Sequence, residues 1–134
     1  MSSYIPVCVP SIQGKEWEYI KDCIDTEWVS SAGKYVELFE QKIAEYIGSK
    51  YAIACINGTS ALQVSLRLAG VLHGDEVIVP PYTMSASATC VLFSGGVPIF
   101  SDIDDEIFCL DPNVIEKSIN KRTKGIHRKI KEET

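Results

Sequence analysis

Apolar side chains recur at three- and four-residue spacing through the first third of the chain, which is the period of an amphipathic helix. The spacing predicts one helix over Gly14–Thr26 and a second over Lys34–Ile47, joined by a loop at residues 28–33. Gly48 stands where the second helix should end. Each helix should turn an apolar stripe inward, formed by Trp17, Ile20 and Ile24 in the first and by Val36, Phe39, Ile43, Ala44 and Ile47 in the second.

Short apolar runs alternate with helical segments in the rest of the chain. The runs predict strands over Tyr51–Ile56, Glu76–Val79, Val97–Ser101 and Lys124–Ile126, and the segments between them predict helices over Ser60–Ala69, Ser85–Phe93 and Asp111–Ile119. This alternation is typical of right-handed βαβ units and a mainly parallel sheet. We therefore expect an α/β fold, and a single domain because no repeat or linker interrupts the pattern.

The junction after the first predicted strand has the composition of an anion site. The strand runs through Gly58 into a helix, whose first N–H groups lack backbone acceptors and whose dipole places partial positive charge there. Thr59 and Ser60 add hydroxyl donors, and Gly58 allows a ligand to approach the backbone closely. The next predicted strand, Glu76–Val79, runs into a loop at Pro80 and Pro81, at what should be the same sheet edge, where ligands of parallel sheets bind. The alternative is a plain connector in which a hydroxyl caps the helix.

Composition narrows the possible functions. The 134 residues are 46% hydrophobic with a net charge of −5, which argues against nucleic-acid binding. Two histidines, far apart in the sequence, suggest no metal site. The amino terminus lacks a signal sequence and no apolar run is long enough to span a bilayer, so we expect no membrane association and a cytoplasmic location. An odd number of cysteines without C-x-x-C spacing should be reduced, buried and inert: Cys8, Cys23, Cys55, Cys90 and Cys109.

Five segments follow one another in the order found in one family of enzymes. They are Asp25-Thr-Glu-Trp-Val-Ser-Ser-Ala-Gly-Lys-Tyr-Val-Glu-Leu-Phe-Glu40, Asn57-Gly-Thr-Ser-Ala-Leu62, Gly74-Asp-Glu-Val-Ile-Val-Pro80, Gly95-Gly-Val-Pro-Ile-Phe-Ser-Asp102 and Arg122-Thr-Lys-Gly-Ile126. Together they resemble the amino-terminal part of the DegT-like sugar aminotransferases, which are pyridoxal 5′-phosphate (PLP) enzymes of fold type I. The segment from Val9 to Ile20 is similar to the branch that acts on amino-deoxy sugars of the bacillosamine or legionaminic acid type.

The resemblance implies a three-layer α/β large domain with PLP as the cofactor. Gly58, Thr59 and Ser60 match the family turn that holds the PLP phosphate. Met84 stands where the family usually has an aromatic ring stacked on the pyridine, so thioether packing or the nearby Tyr82 would have to replace that ring. Alternatively, Tyr82 and Met84 are only wall residues of the site.

The resemblance also implies a substrate, an amino donor and a subunit partner. Trp28, Ser30 and Ser31 match a loop near the sugar-nucleotide entrance and the dimer partner, although Trp28 could equally cap a core. A complete relative transfers an amino group, usually from glutamate, to a keto sugar nucleotide in the biosynthesis of polysaccharides and other glycans, and it works as a homodimer.

No lysine of this chain matches the family lysine that binds PLP covalently. Lys34, Lys50 and Lys124 are expected to be surface residues, and no residue is assigned a catalytic role. Residues 1–126 should be the amino-terminal portion of the large domain, and the abruptly charged residues 127–134 a non-native or frameshifted tail. We expect such a fragment to be inactive alone; the alternative is a non-catalytic fragment that dimerises with a full-length aminotransferase.

Overall fold

A computed structural model describes residues 4–6 and 8–127. They form two compact units, which meet in the sequence between Ala54 and Cys55. The prediction of one domain over residues 1–126 stays a prediction. Of the predicted tail at residues 127–134, only His127 is described and the rest lies outside the described residues. Within the described residues the elements are α1 (Glu16–Asp25), α2 (Lys34–Ile47), α3 (Gly58–Leu68), β1 (Glu76–Val79), α4 (Ala86–Phe93), β2 (Val97–Phe100), α5 (Pro112–Ser118) and β3 (Thr123–Ile126).

The first unit contains α1 and α2, which are tied together by one polar cluster. Asp22 of α1 accepts hydrogen bonds from the Lys34 ammonium at 2.6 Å and from the Tyr35 hydroxyl at 3.0 Å. The rings of Tyr19 and Tyr35 lie 5.0 Å apart. At the other end of α2, Gly48 adopts a left-handed conformation with φ +68° and ends the helix, which confirms the predicted cap.

The apolar stripes of these helices are not buried as expected. Trp17 is 71% exposed, Phe39 57% and Ile47 62%, whereas Val36, Ile43 and Ala44 are half-buried. The prediction of inward-facing stripes is therefore wrong for all three positions of α1 and for two positions of α2. The physical reason is that a stripe pattern identifies the face of a helix that needs cover, but two helices can cover only the residues at their own seam.

The second unit is built on a parallel sheet with the strand order β2-β1-β3. The central strand β1 is buried along its whole length. It is paired with β2 and β3 at its two edges, and α4 packs against it. The core consists of Val77 and Val79 of β1 together with Val71 and Val91 from flanking segments. The predicted α/β fold with a parallel sheet is confirmed.

A buried carboxylate at the start of β1 locks β3 beside it. Glu76 is 3% exposed, forms an ion pair with Arg122, and accepts a hydrogen bond from the Asn120 side chain at 2.6 Å. Its backbone N–H also bonds to the Arg122 carbonyl at 2.7 Å. A buried charge is tolerated only when it is paired and hydrogen-bonded in this way. The pairing therefore fixes the amino-terminal end of the sheet, opposite the edge where a ligand is expected.

The predicted strand at Tyr51–Ile56 is not formed. None of the three described strands pairs with this segment, and Tyr51, Ile53 and Ile56 are 73%, 81% and 92% exposed. Its backbone instead bonds to side chains: the Ala54 N–H donates to Glu40 at 2.8 Å. The apolar composition predicted strand propensity correctly, but a strand exists only where a neighbour supplies a hydrogen-bond ladder.

The cysteines are all free, but only some of them are buried. Cys90 and Cys109 are buried and Cys23 is half-buried, whereas Cys8 and Cys55 are exposed. The expectation that all five are buried is therefore wrong. Cys55 lies within the unpaired segment Tyr51–Ile56, where no described strand pairs with it. Separately, none of the helices within residues 4–6 and 8–127 combines the length and apolar character needed to cross a membrane.

Candidate functional site

Asn57 caps the start of α3, a role that the sequence analysis did not predict for it. Asn57 has extended backbone angles, and its side-chain oxygen accepts a hydrogen bond from the Ser60 N–H at 2.9 Å. Its carbonyl accepts the Ala61 N–H at 3.1 Å. The helix therefore begins at Gly58, two residues before the predicted start. The signal was present, since asparagine is among the best residues at this position.

Asn57 satisfies one of the orphan amides at this helix start and leaves others available. The N–H groups of Gly58 and Thr59 have no hydrogen-bond acceptor among the described residues. The hydroxyls of Thr59 and Ser60 likewise bond to no described residue. Because the cap is the Asn57 amide, neither hydroxyl serves as the cap. These donors are therefore free for an anionic ligand.

Space is also available at this turn. A Cβ atom built on Gly58 would meet no atom within 4 Å, and Gly58 and Asn57 are exposed. Thr59 and Ser60 are half-buried, so they sit at the edge of the packed part of the unit. A phosphate could approach the Gly58 backbone without displacing protein atoms. The turn therefore fits the phosphate of PLP in donors, charge preference and space.

A contact between two helices places this turn near the carboxyl edge of the sheet. The Cys90 thiol of α4 lies 3.4 Å from the Thr59 carbonyl, and α3 packs against α4. Cys90 is the fifth residue of α4, so it lies only about 6 Å along the axis from the helix start. That start directly follows the loop that leaves the carboxyl end of β1. The α3 turn and the β1–α4 loop are therefore close neighbours.

The β1–α4 loop carries the candidate ring contacts, Tyr82 and Met84. Met84 is 77% exposed. The Tyr82 ring lies 5.6 Å from the ring of Phe108, at an interplanar angle of 48°. The loop is fastened to α4 by the Thr83 and Ser87 hydroxyls, 3.1 Å apart. Tyr82 is thus part of an aromatic pair that the sequence did not reveal.

Phe108 reaches this position because of a tight acidic turn. Its backbone has φ +54°, a left-handed conformation that is uncommon for a bulky residue. The Asp104 carboxylate accepts the N–H groups of Glu106 and Ile107 at 2.9 and 3.0 Å. These two bonds, the Ile107 contact first, hold the pKa of Asp104 below its usual range. Asp104 is therefore a turn-forming residue, and its bonds explain how Phe108 is presented to Tyr82.

The candidate substrate residues lie in the other unit. Trp28 and Ser30 line a cleft of about 530 Å³ together with Lys34 and Tyr35, whereas Ser31 does not line it. Trp28 is 58% exposed, and its ring atom Cε3 would lie 3.4 Å from a Cβ on Gly33. Trp28 therefore lies on the surface of the cleft and does not cap a buried core.

Lys34 is an exposed residue, as predicted, but it has a partner. Its ion pair with Asp22 raises the pKa of Lys34, and the same hydrogen bond is the main reason that the pKa of Asp22 is lowered. Burial, followed by the hydrogen bond to Asp22, raises the pKa of the Tyr35 hydroxyl. The Lys34 ammonium at one wall of the cleft is therefore balanced by the Asp22 carboxylate, and Glu37 also lines the cleft.

Comparison with known proteins gives the chain a family. The model of the DegT/DnrJ/EryC1/StrS aminotransferase family matches residues 10–128. GDP-perosamine synthase of Escherichia coli O157:H7 is 45% identical over 123 residues, which cover 92% of this chain and 34% of that protein. The chain thus spans about a third of the length of the curated relatives it matches.

Solved structures agree with this assignment. An aminotransferase from Psychrobacter cryohalolentis superposes with a TM-score of 0.84 at 38% identity, covering 89% of this chain and 30% of that one. NtdA of Bacillus subtilis, solved with the bound cofactor PMP, gives a TM-score of 0.72 at 39% identity, covering 81% and 26%. The family is PLP-dependent. The chain belongs to the DegT/DnrJ/EryC1/StrS family of sugar aminotransferases.

Proposed function

We propose that this chain provides the cofactor-phosphate turn of a PLP-dependent aminotransferase that transfers an amino group to a keto sugar nucleotide. The observation that carries the proposal is the start of α3, where Asn57 caps the helix while the Gly58 and Thr59 amides and two hydroxyls stay available. Family membership supports it, since several relatives act on nucleotide-linked sugars by name, among them GDP-perosamine synthase. The reaction would serve the biosynthesis of polysaccharides or other glycans, with glutamate as the amino donor.

The chain's own residues would bind and orient the cofactor. Gly58, Thr59 and Ser60 would donate hydrogen bonds to the phosphate, whose charge gains from charge-assisted bonds at a helix start. Met84 would pack on the pyridine ring from the β1–α4 loop, near the Tyr82 and Phe108 pair. When bound, PLP supplies the electron sink for amino transfer.

The cleft beside α2 is the proposed site for substrate contact. Trp28 offers an exposed aromatic face, and Ser30 offers a hydroxyl on the same wall. The Lys34 ammonium is paired with Asp22 but stays largely exposed, and we propose that it also donates to a diphosphate-linked sugar. Ser31, which does not line the cleft, is retained only as a neighbour from the matched loop. The narrower assignment to bacillosamine- or legionaminic-type substrates, the homodimer and the cytoplasmic location remain predictions.

The 134 residues alone should bind the PLP phosphate without catalysing transfer. None of Lys34, Lys50 and Lys124 matches the lysine that binds PLP covalently in the family, and no other residue is proposed as catalytic. The alternative function is association with a full-length aminotransferase as a non-catalytic partner. The exposed apolar side chains of α1 and α2, including Trp17, favour it as the second candidate.

The experiment for the proposed function uses Gly58→Ala and a ligand without an aldehyde. Pyridoxine 5′-phosphate presents the ring and phosphate but cannot react with surface lysines, so equilibrium dialysis reports the phosphate turn alone. Because the added methyl occupies the space open to the phosphate, we expect affinity to fall by at least about tenfold. Helix stability should hold or improve, since alanine is the better helix former.

The matched control is Gly125→Ala in β3. Its new Cβ would make only an ordinary contact with Val77 at 4.0 Å, far from the α3 turn in the sequence. We expect unchanged affinity for pyridoxine 5′-phosphate in this variant. Equal affinity of the Gly58→Ala variant and the unaltered chain would contradict the proposed phosphate turn.

A further inference from the structure

One peptide group at the candidate phosphate turn is held from both ends. The Thr59 carbonyl and the Ser60 N–H belong to the same planar peptide. Its N–H donates to the Asn57 side chain at 2.9 Å, and its carbonyl accepts from the Cys90 thiol at 3.4 Å. The Asn57 bond comes from the same helix start, whereas the Cys90 bond comes from α4. The turn is therefore fixed to a second element as well as capped.

The Cys90 thiol is protonated at neutral pH and can therefore act as the donor of this hydrogen bond. Its side chain is fully buried, and burial raises the pKa of the thiol, so the S–H donor is kept at neutral pH. Cys90 lies in α4, about one turn after Ser87. The Ser87 hydroxyl bonds to the Thr83 hydroxyl and so fastens the β1–α4 loop to the helix. One helix thus contacts both segments that carry the proposed cofactor residues.

We propose that Cys90 is a positioning residue for the cofactor phosphate, acting through the Thr59–Ser60 peptide. The inference rests on the proposed function of the α3 turn. A peptide whose carbonyl is bound by a second donor is polarised and loses freedom to tilt. The adjacent amides of Gly58 and Thr59 then keep their direction before the ligand arrives. Binding consequently costs less ordering at this turn.

The test compares Cys90→Ala, Cys90→Ser and Cys109→Ala in the full 134-residue chain. Alanine removes the donor, serine keeps a donor, and Cys109 is a buried thiol whose loss leaves the turn untouched. Each variant is measured twice, by equilibrium dialysis with pyridoxine 5′-phosphate and by denaturant unfolding. The two measurements separate ligand positioning from packing.

We expect Cys90→Ala to weaken binding by about twofold to tenfold, the equivalent of one modest hydrogen bond. Cys90→Ser should recover part of that affinity even though a buried hydroxyl lowers stability, and Cys109→Ala should lower stability without changing affinity. The proposal is overturned if Cys90→Ala binds as the unaltered chain does, or if Cys109→Ala weakens binding equally. Failure of the unaltered chain to bind would refute the phosphate turn itself, and the positioning role with it.

Discussion

At the scale of single residues, the cap decides what the hydroxyls of the α3 turn can do. A serine or threonine at a helix start usually satisfies an orphan amide. Here Asn57 has that role, at 2.9 Å from the Ser60 N–H. Thr59 and Ser60 lie inside the first turn instead, at the second and third helical positions. Their hydroxyls are therefore dispensable for the helix and available to a ligand.

This arrangement predicts a separation of binding from stability in a Thr59→Ala/Ser60→Ala double variant. Each charge-assisted bond lost to the phosphate should cost about 1.5–3 kcal/mol of binding free energy. The free energy of unfolding should stay the same or rise slightly, because alanine has the higher helix propensity. Equilibrium dialysis with pyridoxine 5′-phosphate and urea unfolding measure the two quantities.

Asn57→Ala is the control for this variant. It removes the cap, so it should lower the free energy of unfolding by about 0.5–2 kcal/mol. If the double variant lost stability while retaining its affinity for pyridoxine 5′-phosphate, the hydroxyls would be structural and the assignment of Thr59 and Ser60 would be wrong.

At the scale of elements, the packing of α1 against α2 depends on charge. The Lys34 hydrogen bond, followed by that of Tyr35, lowers the pKa of Asp22. Because the pKa of Asp22 is lower in the folded state than in the unfolded state, its charged form stabilises the fold above the unfolded-state pKa. That stabilisation is lost as the pH falls through the folded-state pKa. The pKa values of Lys34 and Tyr35 are raised in the folded state, so the stabilisation from these two groups is lost when the pH rises through their folded-state pKa values. The link should therefore be intact at neutral pH and fail in acid.

The test is the pH dependence of Asp22→Asn. Both tryptophans, Trp17 and Trp28, lie in this unit, so intrinsic tryptophan fluorescence follows its unfolding selectively. The unaltered chain should lose thermal stability as the pH falls below about 4, the usual pKa of an aspartate, and then through the lower folded-state pKa of Asp22. The Asp22→Asn variant should have a lower thermal stability at pH 7 and should lose less of it in acid.

Asp25→Asn provides the matched comparison. Asp25 also pairs with a lysine, Lys21, but on one exposed helix face. Such a pair contributes little. This variant should follow the unaltered chain closely, and an Asp22→Asn variant with the same behaviour would show that the cluster does not join the helices.

Local signals were sufficient to predict most elements of the fold. The bounds of α2 and β1 match the prediction, because the helix has a clear period and a Gly48 cap and the strand is a compact apolar run. The strand at Tyr51–Ile56 failed because pairing is a property of two segments, whereas the prediction used one. In the same way, the apolar stripe of α1 indicated which face of the helix would pack against a partner, but it did not indicate whether a partner is present.

The candidate site was only partly predictable for a related reason. Gly58, Thr59 and Ser60 could be found because their order along the chain is the motif. The contacts from Cys90 and Phe108 join segments far apart in the sequence, through packing of α4 and an acidic turn at Asp104. Nothing in the local pattern around those residues encodes such contacts.

At the scale of the whole molecule, exposed apolar surface should control association. On α1 and α2, Ile24 is 60% and Phe39 57% exposed, and both border the same apolar groove. Contiguous surface of this kind drives self-association in water. We therefore expect the chain to sediment as oligomers or aggregates, in a manner that depends on protein concentration.

An Ile24→Lys/Phe39→Lys variant should shift sedimentation velocity profiles toward the monomer, because two charges in the groove make its burial costly. Leu68→Lys is the control: Leu68 is 82% exposed but belongs to the other unit, so its replacement should have a smaller effect. Far-ultraviolet circular dichroism should show the same helix content in all three chains. A concentration-independent monomer with a cooperative melt for the unaltered chain would contradict the expectation, since the exposed groove would then need no partner. It would also remove the observation that favours association with a full-length aminotransferase.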